Sequence, residues 1–191
     1  MKSIQTSLRK QEGKIGGVLL GIIIGILIWG GFNWGLAASN SEEFCVSCHE
    51  HKQSFDELQE TIHYTNRTGV RATCADCHIP RDWKHMVPVK ISATIRELTS
   101  KMKGTISTPE KFEANRLRMA KLEWKRMKEN GSQECKNCHK PLNMDISKQE
   151  PRSADRHEKA FEQGLSCIEC HKGISHHLPA GWKEAAKDKS Q

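Results

Sequence analysis

Four copies of one five-residue pattern dominate this chain: Cys45-Val-Ser-Cys48-His49, Cys74-Ala-Asp-Cys77-His78, Cys135-Lys-Asn-Cys138-His139 and Cys167-Ile-Glu-Cys170-His171. They use all eight cysteines and leave none over. C-x-x-C-H is the attachment signature of c-type haem. Two thiols three residues apart lie on one side of a turn, where each bonds a vinyl group of one porphyrin. The adjacent His is then carried under the ring to the iron. Four C-x-x-C pairs could also build two Cys₄ zinc ribbons, or disulfides in an oxidising compartment. Neither explains a His directly after every pair. The pattern therefore implies four covalently bound haem c groups, with His49, His78, His139 and His171 as iron ligands and no structural zinc.

The second constraint is an apolar run. From Ile15 to Ser41 there is no charged side chain. A transmembrane helix needs roughly 20 mostly apolar residues, so residues 15–36 read as a membrane anchor. Lys2, Arg9, Lys10 and Lys14 precede it against a single Glu12, and Glu42, Glu43, Glu50, Asp56 and Glu57 follow it. The positive-inside rule then puts residues 1–14 in the cytoplasm as a tail and residues 37–191 outside, as a periplasmic tetrahaem domain. A signal peptide cleaved near Leu36-Ala37-Ala38 is the competing reading, but signal h-regions run about 7–15 residues and this one is longer. Gly17, Gly21 and Gly25 form a small-xxx-small face, a candidate surface for a homodimer.

About 150 residues after Ser41 make one compact domain, poor in aliphatic residues and dependent on haem for apolar mass. The net charge of +7 does not indicate nucleic acid, because no basic cluster is interleaved with aromatics. It balances the haem propionates, about eight negative charges for four haems. Six further histidines, His51, His63, His85, His157, His176 and His177, are candidates for second axial positions, and spacing alone does not assign them.

The segments between motifs carry helical periodicity. Phe55, Leu58 and Ile62 predict a short amphipathic helix that delivers His63 at its end. Val87, Ile91, Ile95, Leu98 and Met102 trace a second stripe up to Gly104, with Lys90, Thr94 and Glu97 stacked on its flank. A third helix begins at Thr108 as N-cap with Pro109 at the first position and stops at Asn130-Gly131. Its expected apolar face is Ala114, Leu117, Ala120, Trp124 and Met127. No segment alternates with period two. The fold class expected is mainly α: one transmembrane helix and a small helical multihaem domain with little or no sheet. The motif pairs begin 29 and 32 residues apart (45 to 74, 135 to 167), a rhythm that resembles a duplicated two-haem unit.

The anchor followed by four C-x-x-C-H motifs resembles the NapC/NirT family of membrane-anchored tetrahaem cytochromes c. The likeness runs through GGFNWGLAASNSEEFCVSCHE, HYTNRTGVRATCADCH, PEKFEANRLRMAKLEWKRMKENGSQECKNCH and SCIECHKGISHHLP, and is nearest to the periplasmic nitrate-reductase branch. The resemblance implies a quinol dehydrogenase of the inner membrane, with menaquinol or ubiquinol as donor and a periplasmic reductase or its cytochrome subunit as acceptor. It implies His63, His157 and His176 as distal iron ligands, and Lys90 and Glu97 as the quinol pair beside the first haem. Two positions depart from the family. His51 stands where relatives often have Met, leaving the first iron's ligand between His49 and His51. Arg81 stands where relatives often have His, which makes His85 a candidate replacement at the second haem. A small terminal reductase acting on a nitrogen or sulfur oxide at an open-coordinated haem is the alternative function.

Overall fold

The computed structural model describes residues 2–187, with side chains described for residues 14–184. The side chains of Lys2, Arg9, Lys10 and Glu12, used above for orientation, lie outside that range. The chain divides into two compact units, Met1–Phe44 and Cys45–Gln191. Among the described residues there are helices, short 3-10 turns and no strand. The expectation of a mainly helical fold holds.

The first unit is built on α1 (Lys2–Ala38). Its segment Lys14–Ala38 is long and apolar enough to cross a membrane. Its large side chains, Leu27 and Trp29 among them, are exposed within the chain. An ideal Cβ on Gly17, Gly21 or Gly25 would meet nothing within 4 Å, so the expected small-residue face is open. The short helix α2 (Glu42–Val46) runs into the first motif.

In the second unit, α3 (Lys52–Gln59) is shorter than its apolar spacing suggests. The Thr61 N–H and hydroxyl both donate to the Leu58 carbonyl and close the helix in a turn. Ile62 is therefore exposed, and His63 stands in the following loop instead of on the helix end. Helix α4 (Cys74–His78) is the second motif itself, opened by a Thr73–Asp76 capping box. Helix α5 (Trp83–Lys103) starts on Asp82, whose side chain accepts from the Lys84 N–H, and stops at Gly104 in the left-handed region (φ 59°). Helix α6 (Pro109–Glu129) has the expected Thr108 cap, which accepts from the Lys111 N–H, and Pro109 at its start. Four shorter helices follow: α7 (Gln133–Lys136), α8 (Pro151–Glu162), α9 (Cys167–Cys170) and α10 (Trp182–Lys187).

Two apolar faces differ from expectation. The stripe on α5 is not packed: Ile91, Ile95, Leu98 and Met102 are 57%, 63%, 57% and 86% exposed. On α6 the buried residues are Phe112, Arg116 and Met127, so the inward face is rotated about a quarter turn from the apolar one. The reason is a buried ion pair. Arg116 donates from Nη1 to Glu57 Oε2 at 2.9 Å, a charge partner brought by α3. Burial raises the Glu57 carboxyl, and the Arg116 guanidinium and the His177 N–H more than offset that, leaving it below its usual value. The buried apolar side chains are Leu58, Ile106, Phe112, Met127 and Ile168. So small a polypeptide core suits a domain whose apolar mass comes from cofactors.

Candidate functional site

The second, third and fourth motifs each fold around a helical turn, whereas the first leaves the end of α2 at Val46 and reaches an extended Cys48 (φ −93°, ψ 127°). In the third, the His139 N–H donates to the Cys135 carbonyl at 2.8 Å; in the fourth, the His171 N–H donates to the Cys167 carbonyl at 2.9 Å. The fourth turn is also opened by a capping box, Ser166 with Glu169. Six of the eight cysteines are half-buried, and Cys138 and Cys170 are exposed. Among the described residues no three His, Cys, Asp or Glu side chains converge as a group that could hold a metal ion.

The fold sets three motif histidines opposite a second histidine. His78 faces His176 with ring centroids 6.1 Å apart, His139 faces His63 at 6.2 Å, and His171 faces His157 at 5.8 Å. Two metal–nitrogen bonds of about 2 Å each, with the half-widths of two imidazoles, span roughly 6 Å. Three imidazole pairs at this separation, each beside a Cys-x-x-Cys turn, fit a haem iron held between them. Nδ1 of His63 lies 3.3 Å from the Ile174 carbonyl, Nδ1 of His157 lies 2.6 Å from Gln149 Oε1, and Nδ1 of His78 lies 3.0 Å from Glu123 Oε1. Such contacts fix the ring and leave Nε2 for a metal. Burial and the neighbouring His78 lower the His176 pKa to about 4, which keeps its imidazole neutral, the form that binds metal.

The His176 partner depends on Gly173. Its φ is +74°, and a Cβ there would lie 2.6 Å from Leu178 Cγ. His85 is 75% exposed beside Asp82, away from these pairs, and Arg81 is bound to Asp76. His176, not His85, stands beside the second motif. His177 is exposed between Glu57 and Glu60.

The first motif differs. No ring pair among the described residues joins His49 or His51 to another imidazole. His49 is exposed beside Glu50. His51 Nδ1 lies 2.7 Å from the Cys45 carbonyl, and its Nε2 lies 3.5 Å from Glu97 Oε2. Glu97 chiefly raises the His51 pKa, to about 9, and His51 in turn lowers that of Glu97. Lys90 is half-buried, which depresses its pKa, and its charge acts on Cys45 along with that of His51. Lys90, Glu97 and His51 therefore gather at the first motif, beside a cleft lined by Cys48, Glu50, His51, Glu97, Leu98 and Ile106.

The motifs follow one another in space as in sequence. Cys45 lies beside Cys74, Cys77 near Cys135 and Cys138, and Cys135 near Cys167. Helix α4 packs on α7, and α6 on α9. The Ile168 N–H of the fourth motif donates to Ser132 Oγ, just before the third, at 3.1 Å. Sequence reading missed the residues that hold the imidazoles, Glu123 and Gln149. Both look like ordinary solvated side chains, and only the fold brings them to a histidine.

Comparison with known proteins points to one family. The model of the NapC/NirT cytochrome c family, N-terminal region, matches residues 9–181. The denitrification system component NirT of Stutzerimonas stutzeri is 53% identical over 176 residues, covering 91% of this chain and 87% of that one. The cytochrome c-type protein NapC of Escherichia coli K12 is 50% identical over 163 residues, 85% of this chain and 81% of that one. A putative tetraheme cytochrome-c type protein of Allochromatium vinosum is 43% identical over 164 residues, 83% of this chain and 89% of that one. No solved structure matches the chain significantly.

Proposed function

We propose that this chain, which belongs to the NapC/NirT cytochrome c family, oxidises membrane quinol and passes the electrons along its haems to a periplasmic terminal reductase. It is a tetrahaem c-type cytochrome with four covalently bound haem c groups and works in electron transfer. The acceptor is a reductase of nitrate or a related oxyanion or N-oxide, and the haem domain lies on the outer face of the inner membrane. Cys45 and Cys48, Cys74 and Cys77, Cys135 and Cys138, and Cys167 and Cys170 hold the four haems. His78 with His176, His139 with His63, and His171 with His157 ligate three of the irons; the first takes its ligand from His49 or His51.

The observation that carries the quinol reading is the meeting of Lys90, Glu97 and His51 at the first motif. Quinol oxidation releases two protons with two electrons, so a proton acceptor at the electron entry point serves the chemistry, and Glu97 is positioned to be one. When bound, each haem supplies an iron that accepts one electron at a time. Lys90 Nζ hydrogen-bonds a quinol oxygen, and Glu97 Oε2 takes a proton with His51 Nε2 as its neighbour. The exposed Ile91, Ile95, Leu98 and Met102 on the same helix offer a lipid-soluble donor an apolar approach. Only residues 39–44 separate the end of α1 from Cys45. The open Gly17/Gly21/Gly25 face of α1 would serve pairing with a second copy.

A reduced-minus-oxidised spectrum of membranes containing the protein tests this reading. Added quinol should produce the reduced c-type bands. Bands that appear with dithionite and not with quinol would contradict it.

A further inference from the structure

Among the described residues, His78 alone of the motif histidines has a carboxylate at Nδ1. Glu123 Oε1 lies 3.0 Å from that nitrogen, reaching it from the middle of α6. The carboxylate is held in place. Arg126 donates from Nε to Oε1 and Oε2 at 3.0 and 3.1 Å, and from Nη2 to Oε1 at 2.6 Å. The same guanidinium donates to the Cys77 carbonyl at 3.2 Å and to Glu134 Oε1 at 2.7 Å. Glu134 is 1% exposed, is bonded by Asn130, and stands next to Cys135 of the third motif. A cluster with one net negative charge thus lies between the second and third motifs, with one end on the His78 ring. The ring contacts of His63 and His157 are neutral, a backbone carbonyl and an amide oxygen, and the carboxylate nearest His176 Nδ1, Glu57 Oε2 at 4.0 Å, is neutralised by its ion pair with Arg116.

We infer that Glu123 is a positioning residue for the second haem: it fixes the His78 imidazole through Nδ1–H and holds that haem at a lower reduction potential than its neighbours. This rests on the reading of His78 as an iron ligand. An anion accepting the Nδ1 proton makes Nε2 a stronger donor, and a stronger donor favours the oxidised iron. Three hydrogen bonds from the Arg126 guanidinium hold Glu123 as a carboxylate, the form that accepts from Nδ1–H. Electrons moving from the first motif to the third then cross a low-potential station. The step into the second haem runs uphill and the step out of it downhill, which favours onward transfer once the second haem is reached.

The test is potentiometric titration of the purified full-length cytochrome, followed by electron paramagnetic resonance, for wild type and Glu123→Gln. The signal altered in His176→Ala identifies the second haem. Glu123→Gln keeps the shape and an oxygen acceptor but removes the charge. The expected result is a shift of about tenfold toward the reduced form at the second haem alone, equal to ~59 mV upward for one electron. Glu110→Gln, at an exposed position, should leave all four potentials unmoved. An unmoved second haem with all four haems retained would overturn the inference, as would an equal shift at every haem. Should Glu123→Gln lose haem, Glu123→Asp supplies the reading. A smaller upward shift confined to the same haem supports the role, and an unmoved potential overturns it. Failure of the ligand pairing reads out separately, as an unchanged spectrum in His176→Ala, while Glu123→Gln still either moves one of the four potentials or does not.

Discussion

The imidazoles of His63 and His139 face each other at 6.2 Å between centroids, one carried by the loop after α3 and the other by the turn after α7. Because the separation suits an iron between them, removing the distal partner should unmake one strong-field site. Replacing His63, His157 or His176 by Ala should each convert one low-spin haem to a high-spin or altered state, with four haems still attached through their thioethers. Electron paramagnetic resonance on each variant checks this, and an unchanged spectrum in any one removes that residue as a ligand.

The ion pair that turns α6 inward has its own consequence. Arg116 and Glu57 side chains are 9% and 6% exposed. Arg116→Met should lower unfolding free energy by about 3–5 kcal/mol, because it leaves the Glu57 carboxylate buried without its partner. In the wild type Glu57 titrates below its ordinary value of 4.5. It therefore adds stability above that value, which is lost as pH falls through the lower folded value. Thermal unfolding as a function of pH checks both: the variant should melt lower at neutral pH and lose less on acidification.

How far the sequence reached follows from how local each interaction is. Haem attachment was legible because five consecutive residues carry the chemistry. The limits of α6 were legible because Thr108, Pro109 and Asn130-Gly131 act within one turn of themselves. The inward face of α6 was not, because Arg116 reads as solvated until α3 brings Glu57 to it. His63 was placed at a helix end because Ile62 continued the spacing, while Thr61 had already closed the turn. The pairing of His78 with His176 was likewise beyond spacing. It depends on a turn at Gly173 and on contacts across most of the domain.

The apolar segment Lys14–Ala38 should remain in the mature protein as its anchor. Intact mass or N-terminal sequencing of the purified protein should then show residues before Gly35. The protein should enter detergent extracts and not the soluble periplasmic fraction. A soluble product beginning near Ser39 would contradict retention.

Electron entry at Lys90 and Glu97 is where the account is most exposed to test. The decisive measurement is the rate at which quinol reduces the haems of purified wild type, Glu97→Gln and Lys90→Leu, compared with reduction by an artificial donor. Glu97→Gln should retain four haems and full artificial-donor reduction, yet slow reduction by quinol by about 10²-fold or more, the range lost with a proton acceptor. Lys90→Leu should chiefly weaken quinol or inhibitor binding. Wild-type quinol kinetics in both variants, with haem content intact, would contradict the account and put the entry point elsewhere.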